Sequence, residues 1–259
     1  MTVLSTTPSF WADRLKASAI HLALSLAIAA LAALLVFGIW YPYPYREISG
    51  GRELFLLVVT VDVILGPLIT LAIFSRTKAW PVLRRDLAVV ALIQVAALGY
   101  GIWTVFVARP VHMVFEYDRF RAVHAIEVPL ELLDQAPRSL EAMPIMGPTL
   151  LSLRPFKDAT EKMETTVAAL QGVSLSSRPE LWQPYALAIP DILKTAKPVA
   201  LLKSRFASQA NEIDRVLASK GRTAQDVVYL PMIGRKSFWT VFLDPVTAEV
   251  LAYMPVDSF

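Results

Sequence analysis

Cysteine is absent from the 259 residues, and histidine occurs only at His21, His112 and His124. The first absence excludes disulfides, a thiol nucleophile and thiolate metal sites, and lets the chain enter an oxidising compartment without mispairing. The second leaves a metal centre short of ligands, so no metal and no cofactor is expected. Charge is sparse too, 18% of residues against about 25% in an ordinary globular chain, while hydrophobic residues reach 55%. The sequence lacks a glycine-rich phosphate loop, a Gly-x-Ser-x-Gly elbow and a His-Glu-x-x-His pair, which argues against the commonest enzyme classes. The net charge of +3 arises wholly within residues 1–108, because residues 109–259 carry 17 basic and 17 acidic groups. That balance speaks against a nucleic-acid partner.

What is present is three long apolar runs, at about residues 19–41, 54–74 and 87–107. Each matches the roughly 20 residues needed to cross a hydrocarbon core of about 30 Å. The first is too long for a signal peptide and runs on into Trp40, Tyr41, Tyr43 and Tyr45, so it reads as an uncleaved anchor. Arg14 and Lys16 precede it, and Arg76, Lys78, Arg84 and Arg85 fill the loop between the second and third runs. In the 41–53 loop Arg46 and Arg52 are offset by Glu47 and Glu53. The excess of basic residues near span ends predicts that the N-terminus and the 76–85 loop are cytoplasmic and that everything after the third span is exported. Trp11, Trp40, Tyr41, Tyr43, Trp80 and Trp103 lie near span ends, where amphipathic rings favour the interface. The expected organisation is a cytoplasmic segment 1–18, a three-helix transmembrane domain 19–108 and a periplasmic domain 109–259.

Residues 111–115 and 120–128 read as strands around a turn at Tyr117-Asp118-Arg119. Asp158 and Glu161 form a capping box for a helix that Gly172 stops. Residues 192–206 read as helix interrupted at Pro198, and residues 211–219 as a short helix closed by Gly221. Short strands at 227–233, 238–244 and 250–255 predict a C-terminal antiparallel meander. Five prolines between Pro129 and Pro155 mark an irregular connector. The fold class expected is therefore three transmembrane α-helices followed by an α+β domain.

The most informative residue is Asp62, about eight residues inside the second run. A carboxylate in hydrocarbon costs a few kcal/mol, and its partner has to be named. Depth counting places Tyr100 of the third span opposite it, with Gln94 nearer the cytoplasmic side and His21 at the cytoplasmic end. Either the Asp62–Tyr100 pair is internal and structural, or Asp62 receives a polar group from another protein's membrane helix. A proton relay is poorly supported by one carboxylate. Gly66-Pro67 predicts a kink in span two, and Gly99 and Gly101 allow close helix approach. Gly50-Gly51 reads as a turn, and Arg109-Pro110 as a snorkelling anchor and helix stop. Glu116, Asp118, Arg119 and Arg121 read as a solvated turn. Gly50, Gly51, Arg109, Pro110 and Glu116 are grouped as candidate membrane-interface or hinge positions.

These motifs occur in order: Gly50-Gly51-Arg52-Glu53-Leu54-Phe55, Val61-Asp62 through Gly66-Pro67 to Thr70, Arg85-Asp86-Leu87, Gln94, Ala97 to Gly101, Ala108-Arg109-Pro110, and Val114 to Phe120. Together they resemble the TfpX/TfpZ-type type IV pilin accessory proteins, densely over about residues 10–125 and by layout beyond. The resemblance implies a non-enzymatic inner-membrane protein that binds the cognate major pilin, membrane helix and globular domain alike, and promotes its stability or assembly. Other pilus assembly proteins would be further partners. The implied pilin-helix site is Asp62, Gly66, Pro67 and Tyr100. The competing class is a small ion-coupled carrier or membrane hydrolase using Asp62, against which three spans without an inverted repeat offer little pathway.

Overall fold

The computed structural model describes residues 10–75 and 77–259. Arg76 and residues 1–9, which carry part of the basic-loop and N-terminal expectations, lie outside the described residues. Three helices are long and apolar enough to cross a membrane: Trp11–Trp40, Gly51–Ile73 and Trp80–Val107. Their outward side chains, such as Leu31, Leu34 and Leu92, are exposed as a lipid-facing surface requires. The first ends in a π-turn, Val36–Trp40, and the second contains another, Val61–Leu65, followed by the helix Gly66–Ile73 with Pro67 in its first turn. Pro67 lacks the N–H that would bond one turn back, and it stands directly after the π-turn inside the continuous helix Gly51–Ile73. Lys78 donates to the Ile73 carbonyl (3.0 Å) and pairs with Asp86 (2.8 Å), fixing the tight connection between spans two and three.

The chain falls into two compact units. One holds the three spans, including Arg52–Phe106; the other joins Ile39–Gly51 to Val107–Phe259. The second unit is α+β with a mixed sheet. Its strands are β1 Pro110–Glu116, β2 Arg119–His124, β3 Thr149–Leu153, β4 Trp182–Pro184, β5 Lys197–Pro198, β6 Val228–Ile233, β7 Phe238–Leu243 and β8 Val250–Met254. The order across the sheet is β4-β3-β1-β2-β6-β7-β8, with β5 paired to β6. The terminal meander β6-β7-β8 is antiparallel as predicted. So are the helix Ala159–Leu170, whose Asp158 cap accepts from Glu161 N–H at 2.8 Å, and the helix breaks at Pro198 and Gly221.

Three features differ from the sequence reading. The second strand stops at His124 instead of Val128, because the Glu127 carboxylate accepts the His124 N–H (3.1 Å) and turns the backbone into a 3₁₀ turn. The proline-rich connector contains β3, a short strand with three leucines that lies parallel to β1. The 39–51 loop belongs to the core of the second unit: Ile48 is fully buried with Met113, Phe120, Leu230 and Trp239, and its carbonyl accepts from Lys236 N–H (3.0 Å). Gly234 makes room for it, since any Cβ there would meet the Ile48 side chain.

His112 is buried on the opposite face of the sheet beside Trp182. Its Nε2 lies 3.0 Å from the Ala142 carbonyl and its Nδ1 2.7 Å from the Thr149 hydroxyl, which assigns a neutral ring with Nε2–H donating to the carbonyl and Nδ1 accepting from the hydroxyl. Burial pulls its pKa down to about 4, only partly opposed by the carbonyl.

Two outcomes follow. Ile48→Ala should cost about 2–5 kcal/mol by opening a cavity in a core built partly from the inter-span loop. Thermal unfolding of the detergent-solubilised chain, followed by near-ultraviolet circular dichroism, checks this. For His112 the folded pKa lies below the ordinary value of about 6.5, so the unfolded chain binds the extra proton. Its stabilising contribution is present above about pH 6.5 and is lost as pH falls toward 4, by roughly 3 kcal/mol. His112→Gln, which does not titrate, should flatten that pH slope in the same measurement.

Candidate functional site

Asp62 sits half-buried within the π-turn of span two, and its partner is Gln94: the amide Nε2 donates to Asp62 Oδ1 at 3.2 Å. Tyr100, the expected partner, is 74% exposed and does not bond Asp62. The reason is helical geometry. Span two begins at Gly51, three residues earlier than its apolar run suggests, so Asp62 lies about 16 Å along the helix and Tyr100 only about 11 Å from the outer end of span three. Gln94, Leu98 and Gly101 share one face at spacings of four and three, whereas Tyr100 points about 100° away from Gly101. A long amide makes up the remaining difference in depth.

Gly66 is where the spans converge. A Cβ on it would fall on the Gln94 amide and close to His21 Nε2, so the absent side chain is what admits both groups. One turn further, His21 Nδ1 lies 2.6 Å from the Thr70 hydroxyl, and Ser18 donates to the Pro67 carbonyl at 2.9 Å. A carbonyl oxygen has two lone pairs, so it can take this bond beside an intrahelical one. Nearer the outer end, Gly101 meets Val58. Between these two close approaches runs a cleft of about 380 Å³, walled by aliphatic side chains from spans two and three and reached by Asp62, Gly66, Gln94 and Tyr100. A smaller cavity of about 160 Å³, bordered by His21 and Ser25, lies on the other side of the Asp62–Gln94 pair. The pair is thus a polar septum between two apolar spaces. Of the four expected pilin-helix residues, Asp62, Gly66 and Tyr100 reach the larger cleft. Pro67 is buried and serves span one through its carbonyl. Gln94 is hard to single out from sequence, because an uncharged amide in an apolar run carries a weaker signal than a carboxylate.

The candidate interface or hinge positions lie in the second unit. Gly50 has φ +75° and makes the turn expected of it. Gly51 lies flat against the Tyr41 ring. Arg109 is not a snorkelling side chain. It is 4% exposed, and its guanidinium donates to the Pro144 carbonyl (3.2 and 3.4 Å), with burial lowering its pKa and Tyr41 opposing that. Pro110 opens β1 opposite His124. Glu116 closes β1, about 20 Å from Pro110 at the rise of a strand, so it is a hairpin residue remote from the exit of span three. Its neighbours Asp118 and Arg119 pair at 2.7 Å on the surface, as a solvated turn does. Among the described residues no cluster of three or more metal-ligating side chains occurs.

Fold and site together define a membrane-embedded protein of three spans carrying an α+β domain, with the Asp62 carboxylate of span two held by the Gln94 amide. The family described as Fimbrial assembly protein FimB matches residues 9–50. The chain is 35% identical over 247 residues to the fimbrial assembly protein of serogroup I from Dichelobacter nodosus, covering 94% of this chain and 95% of that one. It is 33% identical to the serogroup E1 protein over the same shares, and 40% identical over 121 residues to the protein of serogroups C1 and C2, covering 47% of this chain and 92% of that one. The chain belongs to this fimbrial assembly protein family. No solved structure matches it.

The septum should behave as a coupled pair. Gln94→Leu alone should destabilise the chain by about 1–3 kcal/mol, because it strands a carboxylate in hydrocarbon. Adding Asp62→Leu should recover most of that loss. Thermal unfolding of the two single variants and the double variant in detergent measures the coupling, and simple additivity would refute it.

Proposed function

We propose that the chain acts in fimbrial assembly as a non-enzymatic, TfpX/TfpZ-type accessory protein of the bacterial inner membrane. Its N-terminus and 76–85 loop face the cytoplasm, and its C-terminal domain faces the periplasm. Its partner is the cognate major pilin, whose membrane helix docks in the cleft between spans two and three. The similarity to fimbrial assembly proteins and the ordered motifs of the first 125 residues support the assembly role. One observation carries the docking site: the cleft is mostly aliphatic, and its one charged lining residue, Asp62, has among the described residues a single hydrogen-bond partner, Gln94. A carboxylate accepts up to about four hydrogen bonds, so Asp62 retains capacity for a donor from a foreign helix. The C-terminal domain supplies a second contact to the pilin's globular part. Two weak contacts on one chain reinforce each other through effective concentration.

The test uses the Asp62→Leu and Gln94→Leu double variant, in which no polar group is stranded. Piliation of cells should fall at least several-fold while the variant remains as abundant in the membrane as the parent chain. A photoreactive residue at Leu65, on the cleft wall, should crosslink to pilin in the parent and lose that crosslink in the double variant. Normal piliation by an abundant double variant would sink the docking site and leave the C-terminal domain as the pilin contact.

A further inference from the structure

The loop before β3 presents two large apolar side chains to the outside, Ile145 (59% exposed) and Met146 (75% exposed). It is not a slack loop. The Ala142 carbonyl is held by His112, and the Pro144 carbonyl accepts from the buried Arg109 guanidinium. The Gly147 N–H donates to the Ile39 carbonyl at 2.9 Å. Gly147 has φ +57°, a conformation that strains any residue with a side chain, and Pro144 and Pro148 restrict the backbone on either side. A segment fixed this firmly, with a pair of aliphatic side chains at its tip, calls for an apolar environment that the domain itself does not supply.

The tethers say which one. Ile39 is the last residue but one of the first apolar helix, and Arg109 follows the third by two residues. Both stand where the chain leaves hydrocarbon. Two residues of backbone, about 8 Å at most, separate Ile145 from the nitrogen bonded to Ile39. The polar zone on each side of a bilayer is about 5–7 Å deep, so the tip lies within reach of it. We propose that Ile145 and Met146 insert into the lipid surface and seat the C-terminal domain on the bilayer, independently of any pilin contact.

Because the chain has no cysteine, Met146→Cys and Ile145→Cys each accept a single nitroxide without background labelling. Val246→Cys serves as the reference: Val246 is 76% exposed, in the β7–β8 turn. β7 runs in the same direction as β1, so this turn lies at the end of the sheet opposite Pro110. The full-length protein is reconstituted into vesicles of phosphatidylethanolamine and phosphatidylglycerol with no other protein present. Collision rates with oxygen, which enriches in lipid, and with a water-soluble nickel chelate are then compared by electron paramagnetic resonance. The oxygen-to-nickel ratio at 145 and 146 should exceed that at 246 several-fold and be unchanged on dilution with lipid. Ratios equal to that at 246 overturn the proposal, whatever those positions crosslink to in cells. A ratio that collapses on dilution also overturns it, because a second copy would then be the occupant.

Discussion

A carboxylate placed in hydrocarbon has to be given a donor, and the three-span unit is arranged around that need. Gln94 can reach Asp62 only because Gly66 lacks the atom that would stand in its way. The same gap brings His21 of span one toward the same point, so one missing methyl group sets how closely three helices approach. The cost of this arrangement is imperfect packing elsewhere. Spans two and three touch at Gly66 with Gln94 and again at Gly101 with Val58, two turns apart, and the space beside these contacts stays open as the apolar cleft. Small residues promote close backbone approach in membranes, but here they act at isolated points and not along a continuous seam. The π-turn around Asp62 belongs to the same compromise, since a widened turn re-aims one side chain without ending the helix.

The C-terminal domain solves a different problem, which is how a sheet of short strands obtains enough core. It recruits the chain before it re-enters the membrane. Ile48 and Tyr45 fill space over the sheet that helices would otherwise have to cover, and the Lys236 N–H closes on the Ile48 carbonyl. Folding of the domain and placement of the inter-span loop are therefore one event. A substitution in the loop is felt in the core of the sheet, and Gly234 is constrained by a residue nearly two hundred positions away.

Where a signal was local, it was legible. The capping residue Asp158, the stop at Gly221, the meander strands and the presence of three apolar spans all follow from neighbouring residues, and the structure bears them out, although the first and third helices start several residues before their apolar runs. The features that escaped depend on distant partners. β3 is five residues between prolines, and only pairing with β1 and β4 makes it a strand. Ile48 reads as an ordinary loop residue until Gly234 is brought to it. Asp62 stood out because charge in hydrocarbon is conspicuous, but its partner depended on which face of span three turned inward. Counting depth from apolar boundaries fixes height along a helix and leaves rotation about its axis open.

Hydrogen-bond satisfaction separates the buried polar groups by what remains for them to do. His112 uses both ring nitrogens, and protonating it would break the bond accepted from Thr149; it is spent on holding the 142–149 segment in place. Arg109, which the sequence alone makes a membrane anchor, is committed to the Pro144 carbonyl inside the domain. Asp62 is unlike either. It accepts one bond from an amide at the edge of two cavities, and a carboxylate can take a further donor without giving up the first. A donor from outside would bond there without breaking an internal bond. A fully satisfied carboxylate at the same depth would have contributed only to the protein's own architecture. On the proposed reading, the incomplete pairing of Asp62 is what a foreign membrane helix would engage.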